Sequence, residues 1–214
     1  MKMNEQPTTL HYVYDPLCGW CYGAAPLLLA AAGIPGLKIE LHAGGLWLGS
    51  RRQPMGEALR DYVRPYDQRI EALTGQHFGE RYFNDLLLRE GCLLDSEPPI
   101  RAVLAVTALG GDGLTMLHRI QQSHYRDGLW IGTPEFLVTL AAEQGIVAEA
   151  FLQAYLQAPL LQHLADSQGW LKQLGGQGYP TLGLTRHGRV TPIRIADFLG
   201  DLDGFRQHLI TLKK

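Results

Sequence analysis

Cysteine is scarce in this sequence: 214 residues carry three. That is too few for a disulfide framework in a chain of this length. No charge of one sign dominates either, with 19 Lys and Arg against 21 Asp and Glu. A chain without a global positive field has nothing to gather phosphate backbones, so no nucleic-acid partner is expected. Long hydrophobic runs are missing as well. The most apolar stretch, Ala24 to Gly33, is far shorter than the roughly 18 residues a bilayer span needs, so no membrane association is expected. Residues Met1 to Pro7 carry no apolar stretch behind Lys2, so no secretory signal is read and a cytoplasmic protein is expected. Internal repeats and low-complexity segments are absent. The eight histidines show no ligand-like grouping along the chain, so no metal site is expected.

What is present is a chain with 46% hydrophobic and 19% charged residues. A chain of this size buries roughly 70% of its unfolded surface and folds as one domain, or as one domain carrying a large insertion. Leu10 to Tyr14 is rich in aromatic and β-branched types and closes at the turn signal Asp15-Pro16, which reads as a strand. From Gly19 to Ala32, Trp20, Ala24, Leu27, Leu28 and Ala31 recur at helical spacing. Leu37, Ile39, Leu41 and Ala43 then alternate with polar residues, the pattern of a half-buried strand. The first 50 residues therefore read β-α-β.

From about Pro54 to Leu174 the strand signal disappears and helical patterns follow one another. Asp95-Ser96-Glu97-Pro98 opens one helix, and Thr133-Pro134-Glu135 opens another with a capping Thr and a proline in the first turn. Residues 51–174 are expected to be an all-helical insertion. In 175–214, Thr181 to Leu184 and Arg189 to Ile193 flank a turn at Arg186-His187-Gly188 and read as a hairpin, followed by an amphipathic helix over Ala196 to Leu212. The fold class is α/β, two halves of one sheet separated by the helical block.

Cys18-Gly19-Trp20-Cys21 is the chemical centre of the sequence. A thiol at the first turn of a helix meets unpaired backbone N–H groups and the positive end of the helix dipole, which favour the thiolate. Cys18 is the candidate nucleophile. Cys21, one turn further in and more covered, is placed to attack a mixed disulfide formed at Cys18 and release the product. A dormant disulfide or half of a zinc site is the bland alternative. Structural zinc takes four ligands, usually from a second Cys-x-x-Cys or a close His pair, and Cys92 stands alone.

The strand, the Cys-x-x-Cys at the head of the next helix and Pro26 five residues after Cys21 resemble the thioredoxin superfamily. The helical insertion is similar to that of the DsbA family. Thr74-Gly75-Gln76-His77-Phe78 and Asp95 to Val103 resemble its FrnE-like protein disulfide isomerases. The resemblance covers nearly the whole chain, Leu10 to about Leu212. It implies a thioredoxin-like fold and a thiol-disulfide oxidoreductase or protein disulfide isomerase with Cys18 and Cys21 catalytic. It also implies a cis proline at Tyr179-Pro180-Thr181 beside the cysteines, with Trp20, Tyr179, Pro180 and Thr181 meeting an extended substrate. Protein or peptide thiols and disulfides are the implied partners, with glutathione a candidate small thiol. No organic cofactor is implied, because the dithiol itself holds the electrons. Two other readings stay open: a peptide-binding, chaperone-like module with incidental cysteines, and a glutathione-dependent transferase or isomerase of the same fold.

Departures from the family pattern stand beside the match. Gly-Trp between the cysteines lacks the histidine that helps stabilise the thiolate in strongly oxidising DsbA proteins, and Tyr179 stands where relatives usually carry Val or Thr. Asp15 is a candidate proton acceptor near Cys21, with an Asp-Pro turn the plainer reading. Asp95 to Arg101 is a candidate groove border, with a helix cap as the equal alternative. Cys92 reads as a small buried hydrophobe. Arg51, Arg52, Arg60, Arg64 and Arg69, interleaved with Glu57, Asp61 and Asp67, read as a solvated helix face. Trp47, Tyr66 and Trp130 read as core or groove-wall aromatics.

Overall fold

The computed structural model describes residues 8–213. The leader question raised at Met1 to Pro7 falls outside the described residues. Strand β1 (Thr8–Tyr14) runs into helix α1 (Gly19–Ala32), and α1 returns the chain to strand β2 (Leu37–Ala43), parallel to β1. Strands β5 (Thr181–Arg186) and β6 (Arg189–Ile193) complete a sheet of order β2-β1-β5-β6, with β5 antiparallel to both β1 and β6. The β5–β6 link is a two-residue turn with His187 at φ 49° and Gly188 at φ 76°, the mirror-image geometry that matches strand twist.

Period-two alternation divides β1 between two faces. Tyr12 and Tyr14 stack on each other, and the Tyr12 hydroxyl reaches the backbone of α1. His11 points to the opposite face, where its ring lies 3.7 Å from Trp170 on α7 (Leu160–Gln173). The sheet is thus covered by α1 and the last helix on one side and by α7 on the other. Leu27 and Leu28 of α1 are fully buried, and burial of such a side chain contributes roughly 1.5–3 kcal/mol.

The stretch between β2 and β5 holds α2 (Glu57–Thr74), α3 (Glu97–Ala108), α4 (Gly113–Gln121), α5 (Pro134–Ala142), α6 (Ala148–Gln157) and α7. It is not free of strand, as the sequence pattern suggested: β3 (Gln53–Pro54) pairs antiparallel with β4 (Leu93–Leu94). Two residues per strand carry no readable alternation. The Thr133 side chain accepts from the Phe136 amide as the cap of α5. Single π-helical turns, Tyr82–Leu86 and Gln122–Arg126, meet through Tyr82, His124 and Tyr125.

The C-terminal helix begins later than the periodicity indicates. Ile195–Asp197 is a separate 3-10 turn, Gly200 takes φ 85°, and α8 runs only over Leu202–Leu212. Asp201 stops the first segment and starts the second, its carboxylate accepting from the Gly204 amide at 2.9 Å. Phe198 still packs on Phe205, which hid the break in the sequence pattern. Tyr66, read as a core or groove-wall aromatic, is 51% exposed. It lies on the outer face of α2 against Tyr62. Among the described residues no helix is long and apolar enough to cross a membrane.

Candidate active site

Cys18 is the N-cap of α1, in extended conformation, and its carbonyl accepts from the amides of Cys21 (2.9 Å) and Tyr22 (3.1 Å). The thiol therefore stands at the positive end of a four-turn helix. All three cysteines are free thiols. Cys18 is 7% exposed and Cys21 is fully covered. Burial pushes the Cys21 thiol up, and the Cys18 thiol alongside adds to the rise. The Asp15 backbone N–H points at Cys21 Sγ at 3.5 Å and acts in the opposite sense.

Facing Cys18 is the loop before β5, with a cis Tyr179–Pro180 bond. The Tyr179 carbonyl accepts from Cys18 Sγ at 3.5 Å across 161 residues of sequence. The Tyr179 ring lies against Gly44, and its hydroxyl donates to the Gly44 carbonyl at 2.8 Å and accepts from Gln168 Nε2 at 3.3 Å. Gly44 has to be glycine: a Cβ there would stand 2.0 Å from the ring. Thr181 is turned back, its hydroxyl donating to the Gly178 carbonyl at 2.8 Å. Trp20, Tyr179, Pro180 and Thr181 are all half-buried. Cys18, Cys21, Tyr179 and Pro180 thus come together, while Thr181 is engaged with its own loop.

Asp15 makes the turn read for it. Its Oδ1 accepts from the Leu17 amide at 2.8 Å, which is the Asp-Pro turn, yet the side chain is completely buried. Oδ1 also accepts from Ser96 Oγ at 3.0 Å and Oδ2 from the Leu46 amide at 2.6 Å. Burial pushes its carboxyl up to about 6, against the lowering effect of those hydrogen bonds. Ser96 Oγ in turn accepts from the Trp47 amide at 3.0 Å, and Trp47 Nε1 donates to the Leu17 carbonyl at 3.1 Å. Asp15 therefore ties the cysteine loop, the exit from β2 and the start of α3 into one unit. The Asp95 to Arg101 segment reaches the site through Ser96, while Arg52 pairs with Asp95 (2.8 Å) and Glu97 (3.2 Å) outside it.

Asp67 departs from the solvated face assigned to it. It is 4% exposed, its Oδ2 accepts from the Tyr82 hydroxyl at 3.1 Å, and burial pushes it up to about 7. Its Oδ1 lies 2.7 Å from where a Cβ on Gly19 would stand. The glycine inside the Cys-x-x-Cys motif lets α2 close onto the head of α1. No sequence signal marked Asp67 apart from Asp61, since burial follows from the roll of α2 against α1. Cys92 is buried among apolar neighbours, 6% exposed.

The histidine reading also needs correction. His11 and His42, 31 residues apart, lie with Nδ1 and Nε2 at 3.0 Å, and Glu40 stands beside them. Neighbouring strands created a cluster that linear spacing did not show.

This topology, with a thiol pair at the head of its first helix, defines a class: thioredoxin-fold thiol-disulfide oxidoreductases. No protein-family model matches the chain, and no curated protein does. Solved structures do. The cytosolic disulfide reductase DsbM from Pseudomonas aeruginosa is 47% identical, with a TM-score of 0.88 over 96% of this chain and 98% of its own. The structure of DsbM with GSH aligns at 45% identity and a TM-score of 0.86, with the same coverage. A Nitrosomonas europaea protein, assigned provisionally as a protein disulfide isomerase, shares the fold at 23% identity and a TM-score of 0.79, covering 97% of this chain and 98% of its own. The chain belongs to the DsbA family of the thioredoxin superfamily, and it is a thiol-disulfide oxidoreductase.

Proposed function

We propose that the protein is a cytoplasmic disulfide reductase that opens protein or peptide disulfides through Cys18 and Cys21 and is recycled by glutathione. The observation that carries this reading is the graded burial of the pair: Cys18 opens beside the Tyr179 carbonyl, and Cys21 is sealed behind it. The Cys18 thiolate attacks one sulfur of the substrate disulfide. That S–S bond breaks, a mixed disulfide forms at Cys18, and the departing thiolate takes up a proton. Cys21 then attacks Cys18 Sγ, releasing the second substrate thiol and leaving the Cys18–Cys21 disulfide. Asp15 is the group proposed to accept the Cys21 proton, because its carboxyl is buried in the same loop and burial pushes it up to about 6. Two glutathione thiols return the pair to the dithiol and leave as glutathione disulfide, so electrons balance.

The cis-proline loop supports a docking role. The Tyr179 backbone beside Cys18 is suited to an extended substrate segment, with the half-buried Trp20 and Pro180 proposed as its apolar contacts. The reducing direction is supported by the Gly19-Trp20 dipeptide, which offers no histidine to stabilise the thiolate. DsbM, a cytosolic disulfide reductase also solved with GSH, points the same way. The test is reduction of a disulfide-bonded protein such as insulin with glutathione as the electron source. The expected result is turnover by the native chain and none by Cys18→Ala. Equal turnover by Cys18→Ala would refute the assignment.

A further inference from the structure

We propose that His11, Glu40 and His42 form a binding site for one divalent transition-metal ion of the zinc class, separate from the cysteine pair. The parallel register sets His11 directly opposite Glu40, with His42 two residues further along β2 on the same face. His11 Nδ1 lies 3.0 Å from His42 Nε2 and 3.5 Å from Glu40 Oε2, and one donor atom from each residue falls within a 4.8 Å group. Metal–ligand bonds of roughly 2.0–2.1 Å in a tetrahedral site put donors about 3.3 Å apart. The His11–His42 and His11–Glu40 separations of 3.0 and 3.5 Å bracket that spacing.

The surroundings favour a ligand set over a packing solution. His11 is 3% and His42 8% exposed. Burying two imidazoles and part of a carboxylate costs free energy that apolar residues at these positions would not. Trp170 stacks on both rings, at 3.7 Å and 5.2 Å, and fixes their orientation from α7. Lys38 Nζ occupies Glu40 Oε1 at 2.7 Å and leaves Oε2 for the ion.

Access is present as well. Glu40, His42, His163 and Trp170 line a groove of about 1010 Å³ along β2, the edge strand of the sheet. An ion can enter there, and a fourth position would face the groove, open to water or an exogenous ligand. His163 is a neighbour of the site rather than a ligand, because its Nε2 accepts from the Ala43 amide at 2.9 Å.

The test uses the full chain with Cys18→Ala and Cys21→Ala, so that the thiol pair cannot take the ion. Cobalt(II) is titrated and followed by visible absorption, zinc(II) is used to displace it, and nickel(II) quenching reports on the fluorescence of Trp170. One ion per chain is expected. His42→Asn and Glu40→Gln should each weaken binding by at least about 10-fold, since even outer partners of metal ligands contribute that much. Trp170→Phe should bind but lose most of the quenching. Glu40 is a partly exposed side chain, so unchanged circular dichroism in Glu40→Gln separates lost ligation from lost folding. Failure of this doubly substituted chain to bind an ion would overturn the proposal. So would unchanged affinity in either His42→Asn or Glu40→Gln.

Discussion

The Tyr179 hydroxyl donates to the Gly44 carbonyl at 2.8 Å, and the ring occupies the space a side chain on Gly44 would need. The loop before β5, which carries the backbone carbonyl beside Cys18, is thereby fastened to the exit of β2. Gly44→Ala should force the ring out and destabilise the protein by about 1–3 kcal/mol, the usual cost of overpacking. Tyr179→Phe removes this hydrogen bond and the one the hydroxyl accepts from Gln168 Nε2 at 3.3 Å, and should cost about 1 kcal/mol. Urea denaturation of the two variants checks the order. Equal losses would show that the ring is not the obstruction.

Cys18 and Cys21 have unequal exposure, 7% against none, so their variants should fail differently. Cys21→Ala should accumulate a mixed disulfide with substrate at Cys18, visible as a mass adduct under non-reducing conditions. Cys18→Ala should form none. An adduct at Cys21 in the Cys18→Ala chain would reverse the proposed roles.

Asp67 links stability to pH. Its folded carboxyl is pushed up to about 7 from an ordinary value of 3.8, so between those values the folded state holds a proton the unfolded chain has released. Its contribution to stability is therefore present below about 4 and is lost as pH rises through about 7. Asp67→Asn keeps an acceptor for Tyr82 without the charge. Relative to the native chain, it should gain stability from pH 4 to pH 8, on the order of 2–4 kcal/mol. Chemical denaturation across that range reads the difference. A pH-independent difference would show that Asp67 titrates normally.

Asp201 caps α8 through the Gly204 amide at 2.9 Å. Asp201→Ala should cost about 1 kcal/mol, and Asp201→Ser much less. Thermal unfolding distinguishes them. If Asp201→Ala is neutral, the helix does not depend on this start point.

The β-α-β half of the fold was readable because each element carries its own period: Leu37 to Ala43 alternates at two, and Trp20, Ala24, Leu28 and Ala31 recur along one helical stripe. Cys18 and Cys21 stood out by spacing and by their place after a strand. The closeness of Tyr179 to Cys18 spans 161 residues, and only the resemblance to known relatives anticipated it. Asp67, His11 with His42, and the break before α8 were not readable. Asp67 is an acid among acids until α2 rolls onto Gly19. The histidines meet through strand register, and Phe198 keeps helical phase with Phe205 across an interruption at Gly200.

The most direct measurement is an equilibrium titration of the purified protein in glutathione redox buffers, with Cys18 and Cys21 read by alkylation and mass. The account predicts one reversible two-electron couple joining these two thiols, poised nearer the roughly −270 mV of a reductant than the roughly −120 mV of an oxidant. Independent oxidation of the two thiols, or a couple near the oxidising value, would contradict it.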